Sequence, residues 1–317
     1  MISVKTDDPL GVKTASNAVV GRARNVRINE SQLEKLVYYL KQAGNKPLEL
    51  DSNQFGSEPT VQKVFLLDTL NFCFWARKGQ TKWAIKDNGR WQDGYWGLVA
   101  AIDRALAEGY PLLEASYWVE LKLADLKRIL RGKNGTTLPL INHRLVNLRQ
   151  AGKKLVSKYE GLFENVVREA KYDAVYLVKL VTADFESFKD VSWYGKWRVP
   201  FYKRAQILAY DIGLLANITM KNLDGLTAMA DYKLPQLLRE HGVMEYDKGL
   251  ADRIDAFQEI AAGSPEEVEI RAATVVAVDK LANKLGLWPV EVDNLLWSWS
   301  QKKKASKPYH RTRTIYY

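Results

Sequence analysis

Apolar residues recur at helical spacing along most of the chain from Glu30 onward. Leu33, Leu36, Val37 and Leu40 form one stripe, and Leu98, Ala101, Ile102, Ala105 and Leu106 form another that stops at Gly109, ahead of Pro111. Steps of three and four put each set on one helix face, with polar residues opposite. Phe163, Val166, Val167, Ala170, Ala174, Leu177, Val178 and Val181 keep this spacing with no Pro or Gly between them, which predicts one long core helix. The clearest helix start is Ser264-Pro265-Glu266-Glu267, with a hydroxyl to cap, a proline suited to the first turn and a Glu that can close a capping box. Behind it, Ile270, Ala273, Thr274, Ala277, Val278, Leu281 and Leu285 lead to Gly286.

Strand character is confined to residues 64–96. Residues 81–86 are rich in β-branched and aromatic types, and Asp87-Asn88-Gly89 precedes Arg90 and Trp91; Asn-Gly between such runs signals a hairpin. The expected fold is therefore mainly α, with a small β-hairpin or sheet element near 64–96. With no internal repeat, low-complexity segment or Pro/Gly/Ser-rich linker, a single helical domain is expected over 30–317, behind an N-terminal arm at 1–29.

Composition excludes some classes. Hydrophobic residues at 47% and charged residues at 26% are those of a chain that folds without a partner. The single cysteine, Cys73, excludes an intramolecular disulfide and sits in the apolar run 71–75, where it reads as a buried, inert thiol. The first residues carry Asp7 and Asp8 without an apolar leader core, and no later apolar run approaches the ~20 residues that cross a bilayer. A cytoplasmic, membrane-free protein, monomeric in solution, is expected.

The net charge of +10 suits a phosphate-bearing partner, either a nucleic acid or a small anionic substrate. Its one dense run, Lys302, Lys303, Lys304 and Lys307 followed by Arg311 and Arg313, reads equally as a solvated face. Ten Trp and sixteen Tyr exceed what core filling requires. Rings of this kind stack on flat ligands, at ~1–3 kcal/mol per base in single-strand binders, although helix packing also employs them. His143, His241 and His310 lie far apart without cysteine or HExxH spacing, so no metal site is expected. Walker, GxGxxG and GxSxG motifs are absent. Carboxylates, basic residues and aromatics remain. They equip a chain to cleave a glycosidic bond, whose oxocarbenium-like transition state a carboxylate stabilises, or merely to bind a flat anion.

Several strings, in order, resemble the queuosine salvage protein family. They are Asp68-Thr69-Leu70-Asn71-Phe72-Cys73-Phe74-Trp75, Gly94-Tyr95-Trp96 with Ala100-Ala101, and Phe201-Tyr202-Lys203-Arg204-Ala205-Gln206. Further along stand Leu226-Thr227-Ala228-Met229-Ala230-Asp231-Tyr232-Lys233-Leu234-Pro235, Glu267-Val268-Glu269-Ile270-Arg271, and Pro308-Tyr309-His310-Arg311-Thr312-Arg313 with Tyr316-Tyr317. The resemblance runs from about Val26 to the last residue; residues 217–222 and the N-terminal arm depart from it. It implies a cofactor-free N-glycosidase that releases queuine from queuosine 5′-phosphate, with a fold similar to the helix-hairpin-helix DNA glycosylases. The implied partner is the small nucleotide, with no obligate nucleic acid.

The resemblance also implies roles. Asp231, after the turn Leu223-Asp224-Gly225-Leu226, would face the sugar; its alternative is a helix cap or a surface carboxylate. Lys203 and Arg204 would meet the 5′-phosphate, Lys203 being favoured because adjacent helical residues point apart, unless both lie on a solvent face. Asn71, Phe72, Phe74, Trp75, Trp96 and Tyr232 would hold the base and its cyclopentene-diol arm, although alternate residues of 71–75 must face a core if that run is a strand. His310, with Arg311 and Arg313, either tucks against the pocket or belongs to a basic tail. Queuine is a 7-deazapurine, so acid catalysis at the missing ring nitrogen has no atom to act on, and an ionised Asp231 carries more of the work. Should Asp231 be only a cap, Asp68 or Asp211 would replace it. A nucleic-acid glycosylase and a non-catalytic transfer-RNA-binding module are the competing classes.

Overall fold

Ser264 begins a helix as its sequence implies. In the computed structural model, which describes residues 8–42, 52–302 and 305–317, the Ser264 hydroxyl accepts from the Glu267 N–H at 3.3 Å. Pro265 fills the first turn, and Glu267 reaches back to the Gly263 N–H at 3.1 Å. The helix Pro265–Leu285 ends at Gly286, whose φ of 70° is left-handed, the conformation that costs glycine least. Fourteen of its 21 residues are buried. Burial on every side marks a central helix, and helices Val12–Val20, Glu30–Gln42, Lys233–Glu240 and Pro289–Lys302 pack on it.

These elements belong to the first of two compact units, Met1–Glu49, Asp190–Gln206 and Asn222–Arg313. The expected stripe of Leu33, Leu36, Val37 and Leu40 is the buried face of Glu30–Gln42. Asp7, Lys303 and Lys304 lie outside the described residues, as does the side chain of Lys302.

The second unit comprises Leu50–Lys189, Ile207–Lys221 and Thr314–Tyr317. Its helix Val61–Leu70 is buried from Gln62 to Leu70, and Thr60 caps it by accepting from the Lys63 N–H. Phe65 stacks on Phe163 at 3.9 Å between ring centres and meets the edge of Phe185 at 5.0 Å. The helix Gly94–Ala107 buries Leu98, Ala101, Ile102 and Ala105, as its spacing predicts.

The stretch expected to be one helix from Phe163 to Val181 is two, Phe163–Glu169 and Ala174–Asp184. Lys171 and Tyr172 both turn left-handed at φ 56°. Asp173 restarts the helix by accepting from the Tyr176 N–H at 2.9 Å. Lys221 holds the break from a distance in sequence: its N–H donates to the Tyr172 carbonyl, and its carbonyl accepts from the Ala174 N–H. All the predicted apolar positions remain buried.

Residues 64–96 hold less strand than expected. Residues 64–70 are helical, residues 71–84 contain no strand, and only Ile85–Asp87 and Arg90–Gln92 pair. Asn88 and Gly89, at φ 43° and 80°, make the left-handed turn that a two-residue hairpin requires. Strand is also not confined there. Val26–Ile28 pairs with Met244–Tyr246, and Val191–Tyr194 pairs with Trp197–Pro200, both antiparallel. Runs of three or four residues carry too little alternation to announce themselves. With fourteen α-helices against three two-stranded ribbons among the described residues, the fold is mainly α. No helix among them is long and apolar enough to cross a membrane.

Candidate functional site

In the first unit, the residues leading to Asp231 are held by buried side chains one after another. Gln206 accepts from the Thr227 N–H at 2.7 Å, while its amide donates to the Phe201 carbonyl at 2.8 Å. Asp293, on the helix Pro289–Lys302, accepts from the Met229 N–H at 2.7 Å. Arg271, on the central helix, donates from Nε to the Ala230 carbonyl at 3.1 Å. A segment without regular structure pairs its backbone groups this way because buried, unpaired N–H and C=O groups are costly.

Arg271 is itself fixed. Its two terminal nitrogens grip Asp190 in a fork at 2.9 and 2.5 Å, both side chains are 1% exposed, and the guanidinium lies 4.0 Å over the Phe201 ring. Asp190 also accepts from the Lys203 N–H at 3.1 Å. One bidentate pair therefore ties the segment before Asp231 to the start of the helix Lys203–Gly213.

Asp231 is half-buried. Its Oδ1 accepts from the Lys233 N–H at 2.6 Å and, more loosely, from the Leu234 N–H at 3.4 Å. The carboxylate thus holds the first amides of Lys233–Glu240, the capping role foreseen as the alternative to chemistry. The geometry permits both, since one oxygen makes these bonds. Tyr232 is half-buried, with its ring centre 4.8 Å from that of Tyr309.

Lys203 and Arg204 are 5% and 1% exposed, so neither lies on a solvent face. Burial pushes the Asp293 carboxyl up to about 7; its hydrogen bond from Met229 pulls the other way, the charge of Asp231 raises it further, and that of Lys203 lowers it. His310 is 1% exposed, and burial, reinforced by the charge of Arg271, lowers its imidazole to about 3, so the ring is neutral at physiological pH. The segment around it is no loose tail: the Arg311 carbonyl accepts from the Ile260 N–H at 2.7 Å, and the Arg311 guanidinium sits 4.5 Å over Phe257.

The remaining candidates belong to the second unit. Asn71, Phe72, Phe74 and Trp75 are 8%, 1%, 6% and 1% exposed, and only Trp96 among that unit's candidates is half-buried. Residues 71–75 form no strand, Cys73 is left-handed at φ 46°, and its N–H donates to the Tyr317 carbonyl at 2.8 Å. Arg144 lies 4.1 Å over the Phe72 ring and donates to the Phe72 carbonyl. Close by, Asn71 donates to Asp68 at 3.2 Å, and Gln54 donates to Asp211 at 3.5 Å. Burial, then the charges of Asp211 and Asp68, raises the Tyr95 phenol well above its ordinary range.

Among the described residues, no group of three or more His, Cys, Asp or Glu could hold a metal ion. Sequence reasoning missed Asp190 and Asp293, and the work that Gln206 and Arg271 do within strings already noted. Asp293 had a signal, because Val290, Asp293 and Leu296 follow one another at steps of three and all are buried. An acid on an apolar stripe is rare enough to question. Asp190 had none.

Fold and site together define a mainly helical protein in which a half-buried carboxylate, Asp231, ends a segment whose backbone is held by the buried side chains of Gln206, Arg271 and Asp293. The model of the queuosine salvage protein family matches residues 51–317, and the chain belongs to this family. A protein of Sphaerobacter thermophilus named queuosine 5′-phosphate N-glycosylase/hydrolase is 40% identical, over 98% of each chain. Proteins of the same name from Nematostella vectensis and Mus musculus are 36% and 30% identical, over 82% and 98% of this chain and 83% and 99% of their own.

Proposed function

We propose that this chain hydrolyses the N-glycosidic bond of queuosine 5′-phosphate, releasing queuine for reuse in transfer-RNA modification. The observation that carries the reading is the 40% identity to a relative so named, with 98% of both chains aligned. The firmly held Asp231 adds support.

Asp231 is the catalytic residue in this proposal. As the base departs, positive charge grows on the ribose, and a fixed carboxylate offsets it without having to reorganise at the moment of reaction. Water completes the cleavage: the C–N bond breaks, the oxygen of water bonds to the anomeric carbon, and one proton passes to the departing base. Lys203 holds the 5′-phosphate as a buried point charge, and Arg204 stands beside it in sequence. Tyr232 and His310, which belong to the same unit as Lys203, also bind the nucleotide, His310 as a neutral hydrogen-bonding group. Asn71, Phe72, Phe74, Trp75 and Trp96 remain the candidates for recognising the base, Trp96 being the half-buried one among them. The protein acts on the free nucleotide as a cytoplasmic monomer, needing neither cofactor nor nucleic acid.

The test is to incubate the protein separately with queuosine, queuosine 5′-phosphate and queuosine-containing transfer RNA, and to quantify free queuine. Release from the 5′-phosphate well above the other two is expected. Release chiefly from transfer RNA would favour a nucleic-acid glycosylase, and binding of transfer RNA without release a non-catalytic module.

A further inference from the structure

The ribbon of Val191–Tyr194 and Trp197–Pro200, in the first unit, carries two large rings into solvent. Trp193 is 60% exposed and Trp197 39%, although tryptophan ordinarily buries most of its surface. Cations stand beside them. Arg22 lies 4.4 Å over the Trp197 ring while donating to the Ala18 carbonyl at 2.8 Å, and Lys196 lies 5.7 Å from the same ring. Arg198 is directly opposite Trp193 in the pairing, hence on its face, and donates to the Tyr202 hydroxyl at 2.7 Å. All three cations are exposed, and the groups these contacts join them to are neutral, so the side chains are steadied without losing their charge.

The framework under the patch is firm. Tyr194, on the other face of the ribbon, places its hydroxyl 2.8 Å from a Glu269 oxygen and 3.2 Å from the Arg22 carbonyl. Glu269, 1% exposed, also accepts from the Arg24 and Asn25 N–H groups at 3.1 and 2.7 Å, which ties the segment after Arg22 to the central helix. Gly195, at φ 59°, makes the tight turn that leaves Lys196 at the tip. At the base, the Asp190 carbonyl accepts from the Phe201 N–H at 3.0 Å. Rings and charges already held in place lose little freedom on binding.

A partner for this surface must offer flat groups and negative charges in alternation. We propose that the ribbon, with Arg22, is a docking surface for single-stranded RNA, whose unpaired bases stack on Trp193 and Trp197 while its phosphates meet Arg22, Lys196 and Arg198. A duplex keeps its bases stacked within itself and cannot offer them. An acidic peptide supplies charge but no regular succession of flat groups. An anionic bilayer is a plane, whereas the register puts Trp193 and Trp197 on opposite faces of the ribbon, so a plane meets one ring at a time and a flexible strand can follow both. The surface rests on the ribbon alone. The choice of RNA over DNA rests on the functional reading above, because free queuosine 5′-phosphate has to be supplied by hydrolysis of RNA to 5′-nucleotides. Turnover does not require the contact, which holds the enzyme where its substrate is set free.

The test is fluorescence anisotropy with a labelled oligouridylate of about 12 nucleotides and with its deoxy counterpart. The parent should bind the RNA with a Kd of ~1–100 μM at about 0.1 M salt, and log K should fall with log salt at a slope of about −2, as three neutralised phosphates on a single strand predict. Trp193→Ala should weaken binding about fivefold or more, and Lys196→Gln combined with Arg198→Gln should flatten the slope to about −0.7. Melting temperature and kcat/KM for queuosine 5′-phosphate should stay at the parental values in both variants. No RNA binding by the parent, undiminished binding by Trp193→Ala, a slope that the double variant leaves unchanged, or tighter binding of DNA than of RNA overturns the inference. So does hydrolysis that falls in step with RNA binding, which would make the ribbon part of the substrate site, and so does binding to phosphatidylserine vesicles by a parent that ignores the RNA. A parent that releases no queuine yet binds the RNA with this pattern sinks the functional reading and leaves the docking surface standing.

Discussion

Replacing Asp231 with Asn and with Ala distinguishes chemistry from capping, because the structure assigns the carboxylate a definite local task. Its Oδ1 accepts from the N–H groups of Lys233 and Leu234 at 2.6 and 3.4 Å. Asn retains a side-chain carbonyl at that position, and the two residues hold helix starts about equally, so Asp231→Asn should change stability by less than ~0.5 kcal/mol. Ala loses the bonds and should cost ~1 kcal/mol. Catalysis should follow a different order. If the charge of Asp231 offsets the developing ribosyl cation, both variants lose it, at ~2.7–4 kcal/mol or ~10²–10³ in rate. The assay is single-turnover release of queuine from queuosine 5′-phosphate, with enzyme in excess and stability measured by urea unfolding. Asp231→Asn should then be a stable, slow enzyme that binds substrate normally. If Asp231→Asn stays within a few-fold of the parent while Asp231→Ala loses stability, Asp231 is a cap, and Asp68 or Asp211 becomes the acid to replace next.

Lys203→Ala should raise KM for queuosine 5′-phosphate well above its effect on any residual turnover of queuosine; equal losses on the two substrates would remove Lys203 from the phosphate site. Arg271→Met should destabilise the protein by ~3–5 kcal/mol, since it strands the buried Asp190 and frees the Ala230 carbonyl. A fall of less than ~1 kcal/mol in urea unfolding would show that the fork is not a strut. Asp293 gives a pH prediction for stability. Its folded carboxyl, at about 7, lies above the unfolded value of ~3.9, so its contribution is full at low pH and is lost as pH rises towards about 7, by ~4 kcal/mol at most. His310, lowered to about 3 by burial, acts oppositely, weakening the fold as pH falls below ~6.5. Between about pH 4 and about pH 6.5 the two largely cancel in the parent, whereas Asp293→Asn should grow steadily more stable as pH rises. Parallel curves for parent and variant would contradict this.

What the sequence determined by itself is local or carried by the family likeness. The start at Ser264, the stop at Gly286, the Asn88-Gly89 hairpin turn and the apolar faces of Glu30–Gln42 and Gly94–Ala107 follow from residues a few positions apart, whose sterics and hydrogen bonds need no distant partner. The ordered strings around Asn71, Lys203 and Asp231 marked the family. Tertiary structure decided the rest. Lys221 splits the Phe163 stretch in two, although its apolar period continues through the break, and a period reports which face is buried, not whether the backbone is continuous. Met244–Tyr246 supplies the partner without which Val26–Ile28 has no reason to be extended. At the site, the sequence offered Asp231 but not what holds it. Gln206 comes from a helix well before Asp231 in the chain and Arg271 and Asp293 from the two successive helices after it, and each pairs a buried backbone group that would otherwise lack a partner. That requirement arises only once packing has excluded water, so no pattern along the chain records it.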